Sequence, residues 1–219
     1  MRRLFGPLLI LSVILFAAAP VLIAQAPYEQ TMGLIQKIFY FHVPAAMMMM
    51  LSSFICGIWS AIFLLRKKPE ADRIAVAGGE MVVVFGLIVL VTGPLWARIA
   101  WGVWWVWDVR LTSALLLWMI FCGYLLVRKY GGPGADKLGA AMAIFGMANV
   151  PFVYISVDIW RTMHPKTTVV TTLGEGMAIP FWFCVFAFLV MYALLFTARV
   201  HLEEQRARVE QLFLEAGDL

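Results

Sequence analysis

The sequence predicts an all-α membrane protein, a bundle of six transmembrane helices forming a single integral membrane domain over residues 1–219. Two observations carry that prediction. Hydrophobic residues make up 63% of the chain and charged residues only 14%, too little polar surface to coat a water-soluble globule of this size. The apolar residues also gather into runs of bilayer length, about 20 residues for a core of ~30 Å. Such runs must be helical, because lipid offers no partner to an unpaired backbone N–H or C=O.

The spans are expected at about 4–23, 41–65, 81–97, 112–127, 138–157 and 179–198. The first follows Met1-Arg2-Arg3 and precedes Ala24-Gln25-Ala26, an arrangement similar to a secretory signal. Its length suits a full span rather than the shorter core of a signal, so it is expected to be a retained helix. The second is closed by Arg66-Lys67-Lys68-Pro69, and the third opens after Glu80. The fourth and fifth are separated by Gly131-Gly132-Pro133-Gly134, a turn composition. Beyond the sixth, residues 199–219 form a cytoplasmic tail that mixes both charge signs with Val209, Leu212 and Phe213 and reads as an amphipathic helix. No strand-like alternation and no long polar linker competes with this division.

Orientation follows from the excess of Lys and Arg on the cytoplasmic side of membrane proteins. With the N-terminus inside, twelve of the seventeen Lys and Arg fall in inner segments, and only Lys37, Arg98, Arg110, Arg161 and Lys166 fall outside. Both termini are therefore expected in the cytoplasm, and the chain is expected in a bacterial cytoplasmic (inner) membrane, surrounded by membrane lipid. The net charge of +4 reflects this topology and does not call for nucleic acid as a partner. Cys56, Cys122 and Cys184 lie within apolar runs with no Cys-x-x-Cys spacing, and suit small buried residues.

The chemically informative residues gather at the outer face. His42 stands at the start of the second span and His164 between the fifth and sixth, and a proline follows each within two residues. A lone histidine near a helix end is usually an interfacial hydrogen-bonding residue. Two at similar depth, far apart along the chain, can approach one iron from opposite sides, and haem iron commonly takes axial imidazoles. His201, on the inner side beside Arg199, suits a structural role. Between the pair lie Trp96, Trp101, Trp104, Trp105 and Trp107, more than an interfacial aromatic belt requires. Flat aromatic faces suit a macrocycle, Gly102 permits close backbone approach, and Arg98 and Arg110 are candidate partners for two propionates. For Asp108 two readings stand side by side: an ion pair or helix cap at the start of the fourth span, and a direct role toward haem.

Together these residues resemble haem-handling membrane proteins with the signature Trp-Gly-x-Trp-Trp-x-Trp-Asp, here Trp101-Gly102-Val103-Trp104-Trp105-Val106-Trp107-Asp108. Within that group the chain resembles the CcmC family of cytochrome c maturation, also through Tyr40-Phe41-His42-Val43-Pro44 and through Trp160-Arg161-Thr162-Met163-His164. The resemblance runs from about Gln30 to the sixth span. Ile159 departs from it, standing where a tryptophan is expected before Trp160, a candidate wall of the site. The resemblance implies that His42 and His164 are axial ligands of haem b and that residues 101–108 form its platform. It implies handover of haem to the periplasmic chaperone CcmE, beside the ATP-binding-cassette subunits CcmA and CcmB and the small membrane subunit CcmD.

The chain is expected to carry and transfer haem rather than act as an enzyme. It has no Gly-x-x-x-x-Gly-Lys-Ser/Thr, so ATP use would belong to partner subunits. Two alternatives remain in view. A b-type electron-transfer membrane cytochrome would also pair histidines but bury them within the bundle. A membrane transporter subunit would place ionisable residues inside its spans, where this chain has essentially none apart from Glu80 at an inner end.

Overall fold

In the computed structural model, residues 2–217 are described; Met1 and the last two residues of the expected tail, Asp218 and Leu219, lie outside them. The described chain folds into six helices: α1 Arg2–Gln25, α2 Phe39–Arg66, α3 Pro69–Ala100, α4 Val109–Tyr130, α5 Ala135–Ile159 and α6 Ala178–Gly217. Short 3₁₀ turns occupy Leu34–Ile38 and Thr167–Val170. All six helices are long and apolar enough to cross a membrane.

Each helix encloses the run expected for it and continues past both ends, because intrahelical hydrogen bonding does not stop where the lipid does. The largest difference is at the start of α3. Residues 69–80, expected as connection, are its first turns. Pro69 sits in the first turn, where its missing N–H costs nothing, and Glu70 and Asp72 complement the helix dipole. Only Lys67 and Lys68 link α2 to α3, with Lys67 left-handed at φ 52° and its N–H on the Phe63 carbonyl at 2.7 Å. The expected tail is likewise no separate element. α6 runs unbroken for 40 residues, about 60 Å at ~1.5 Å per residue, roughly twice the hydrocarbon core.

α2 is central. It packs on α3, α5 and α6, while α4 lies against α5 and α3, and α1 lies along α6. The core between them is built from Met49, Val82, Phe85, Leu117, Phe121, Tyr124 and Phe188, whereas Leu9, Ile10, Leu87 and Val91 face outward. With no hydrophobic gain between helices in lipid, close packing depends on small residues. At Gly78 of α3 a Cβ would stand 3.0 Å from the Cys56 backbone nitrogen of α2. Ion pairs lock the opposite end from the tryptophans: Arg128 of α4 with Asp72 of α3, and Arg199 of α6 with Glu80 of α3 and, at 2.9 Å, with Glu203. That leaves the start of α2, the ends of α3 and α5, and the start of α4 free to converge at the other end.

Candidate functional site

His42 lies on the first turn of α2 and is 7% exposed. The neighbouring α3 supplies its surroundings. The Trp96 ring meets the imidazole edge-on with centroids 5.8 Å apart, and Thr92 Oγ1 lies 2.8 Å from His42 Nδ1. Pro94 does not end α3, so Thr92, Trp96 and Arg98 share one continuous helix.

The tryptophan segment leaves α3 at Trp101, whose N–H reaches the Ala97 carbonyl at 2.8 Å. Gly102 follows with φ +77°, a value that L side chains adopt at a cost, and the chain then continues without helix or strand to Asp108. Arg98 donates to the Gly102 carbonyl and lies over the Trp104 ring at 5.9 Å, so it braces the loop from behind. Asp108 is the N-cap of α4, with one carboxylate oxygen accepting from the Leu111 N–H at 2.8 Å. Its other oxygen accepts from the Thr162 hydroxyl, and Thr162 Oγ1 in turn accepts the His164 backbone N–H at 3.1 Å. The signature aspartate thus joins the tryptophan segment to the loop that carries His164.

The His164 ring is oriented by its own neighbour. Nδ1 lies 2.8 Å from the Pro165 carbonyl, which can only accept, so Nδ1 carries the proton and Nε2 offers a lone pair. Burial, aided by the Arg110 charge, pushes the His164 pKa down to about 4, against a smaller opposing effect of the Pro165 carbonyl. The imidazole is therefore neutral at physiological pH, the form that binds a metal.

His42 and His164 line one cleft together with Trp96, Trp101, Trp105 and Arg110. The cleft is open at its mouth, and its walls are predominantly apolar. Arg110 is held to α5 by donating to the Val153 carbonyl, and the buried Trp105 Nε1–H has no acceptor among the described residues. The remaining candidates stand elsewhere. Trp104 and Trp107 are 57% and 75% exposed, Trp160 packs on Phe152 with centroids 5.6 Å apart, and Gly102, Asp108 and Arg98 support the loop without lining the cleft. Thr92 and Thr162 were missed from sequence. The only signal was a hydroxyl inside an apolar run for one, and proximity to His164 for the other.

A model of the family described as heme exporter protein C matches residues 1–215. The chain belongs to the heme exporter protein C family. A heme exporter protein C of Bradyrhizobium diazoefficiens is 33% identical over 207 residues, covering 92% of this chain and 79% of the relative. The Escherichia coli K12 protein of the same name is 31% identical, covering 88% and 82%. A CcmC-like mitochondrial protein of cytochrome c biosynthesis from Marchantia polymorpha is 36% identical over 165 residues, 74% of this chain and 70% of the relative. Membership in the heme exporter protein C family and six spanning helices make the chain a multi-pass protein of the bacterial inner membrane.

Proposed function

We propose that the chain holds haem b as a cargo at the outer end of the bundle, with His42 and His164 as axial ligands, and passes it to the periplasmic chaperone CcmE for cytochrome c maturation. The observation that carries this reading is the convergence of two histidines from distant parts of the sequence on one tryptophan-walled cleft. Haem iron accepts two axial nitrogen donors, and the lone pair of His164 Nε2 is of the required kind. Trp96, Trp101 and Trp105 supply flat apolar walls. Arg110 and the unpaired Trp105 N–H supply cationic and hydrogen-bonding partners for propionates, with Arg98 behind the loop as a second cation.

The exposed Trp104 and Trp107 flank Trp105 in sequence and would be open to the chaperone beside a haem edge. Assignment of that end to the periplasm is supported by the twelve-to-five distribution of Lys and Arg. ATP use falls to CcmA and CcmB, with CcmD as the small membrane subunit, and the chain itself is a carrier rather than a catalyst. In such a carrier the imidazoles would release the iron reversibly, and the protein's work is to bind, orient and shield.

An absorption spectrum of the detergent-purified protein, before and after dithionite, tests the ligands. The native protein should show a bis-imidazole low-spin spectrum that His42→Ala and His164→Ala each abolish. An unchanged spectrum in both single variants refutes the assignment. Rapid reduction by quinol would favour an electron-transfer cytochrome instead.

A further inference from the structure

The two histidines are oriented by unlike partners. At His164 the acceptor for Nδ1–H is a carbonyl. At His42 it is the Thr92 hydroxyl, 2.8 Å from Nδ1, and a hydroxyl can either donate or accept. Thr92 resolves that ambiguity through α3 itself. Its Oγ1 lies 2.7 Å from the Ile88 carbonyl, one turn back, and 3.5 Å from the Val89 carbonyl. This is the usual back-bond of a threonine within a helix, and it uses the single hydroxyl proton. What remains on Oγ1 toward His42 is a lone pair.

We infer that Thr92 is a positioning residue for the site: by accepting from Nδ1–H it holds His42 in the tautomer whose bare Nε2 faces the cleft. This rests on His42 being an axial ligand and adds to that reading the residue that sets its proton. The geometry leaves little freedom for another arrangement. The imidazole is bounded by the Trp96 ring on one side, and a Cβ at Gly93 would stand 3.4 Å from His42 Cε1, so α3 runs directly against the ring. A ring rotated to put Nε2 on Thr92 would take the lone pair out of the cleft. With the Thr92 acceptor removed, a buried Nδ1–H would lose its partner, and the neutral ring would gain by moving its proton to Nε2, the atom needed by iron. Both ligands would thus present the same atom by different means, one through its own backbone and one through a neighbouring helix.

The test uses the full-length protein in detergent, with and without haem. Thr92→Val keeps the shape and removes the acceptor, Thr92→Ala removes the acceptor and leaves room, and Thr92→Ser keeps the hydroxyl. In haem-free protein with ¹⁵N-labelled histidine, the His42 resonances are identified by their loss in His42→Ala. The expected result is an Nδ1-protonated His42 in the native and Thr92→Ser proteins and a shift toward Nε2 protonation in Thr92→Val and Thr92→Ala. Haem affinity should fall roughly ten- to a hundredfold in the latter two, as is usual when a ligand histidine loses its hydrogen-bond partner, with the reduction potential displaced and Thr92→Ser near native. An unaltered tautomer, an altered tautomer with unaltered affinity, or a Thr92→Ser protein as impaired as Thr92→Val overturns the role of Thr92. A His42→Ala protein that keeps the native haem spectrum instead overturns the ligation reading, and with it any role of Thr92 toward iron.

Discussion

The carboxylate of Asp108 and the hydroxyl of Thr162 are hydrogen-bonded, and this one contact ties the first turn of α4 to the loop that holds His164. The same carboxylate caps α4 at Leu111, so one side chain sets both the start of a helix and the position of a ring on another segment.

Asp108→Ala should therefore do two things at once. Loss of the cap should cost about 1 kcal/mol of stability, and loosening of the Thr162 contact should weaken haem retention. Thr162→Val breaks only the second connection, so it should lower haem retention while leaving the melting temperature nearer native. Equal retention in native and Thr162→Val protein would show that the loop is held by other means.

The tryptophans should not be equivalent. Trp101 and Trp105 line the cleft, whereas Trp104 and Trp107 face outward. Alanine at Trp101 or Trp105 should lower the haem content of the purified protein, while alanine at Trp104 or Trp107 should leave it near native and lower transfer to the chaperone. Trp105→Phe keeps a smaller aromatic face and deletes the unpaired N–H, so it should lower haem content less than Trp105→Ala. Uniform losses across all four would contradict this division.

At the other end of the bundle the Arg128–Asp72 pair joins α4 to α3, with both side chains about one-fifth exposed. Asp72→Ala strands a largely enclosed guanidinium and should lower stability by about 1–3 kcal/mol, the usual cost of an unsatisfied buried group. The haem spectrum of the folded fraction should remain native, because the pair lies away from the cleft. A changed spectrum would show that the two ends are coupled.

Orientation can be read by labelling. In a variant lacking Cys56, Cys122 and Cys184, a cysteine replacing the exposed Val103 should react with a membrane-impermeant maleimide added to spheroplasts. A cysteine replacing Lys67 should react only after the membrane is opened. The reverse pattern would place the tryptophan segment in the cytoplasm and exclude a periplasmic handover.

The six helices were legible in the sequence because a bilayer imposes one solution on an apolar run: every backbone group must be paired within the segment. The cap at Asp108 was one of two readings the sequence left open, and it was within reach because capping is settled within one helical turn. Residues 69–80 of α3 were not legible as helix, nor was the continuity of the helical tail with α6, because polar residues beyond the lipid can be helical or not, and neighbours decide. For α3 these are Pro69 and the Arg128 pair with Asp72, and for α6 the ties of Arg199 to Glu80 and Glu203.

The candidate site divides along the same line. The histidines and tryptophans were singled out by residue type together with their clustering and their place at one end of the spans, all of which lie in the sequence. Which tryptophans wall the cleft and which are exposed depends on the path of the segment after Gly102, a matter of tertiary packing. Thr92 and Thr162 carry no periodic or compositional mark, and one hydroxyl in a helix or a loop looks like any other. Their importance comes from hydrogen bonds between groups fifty or more residues apart, 50 for Thr92 to His42 and 54 for Thr162 to Asp108. Such bonds exist only once α2, α3, α4 and the loop after α5 are in place, and a hydrogen bond depends on distances of a few tenths of an ångström that only the assembled bundle sets.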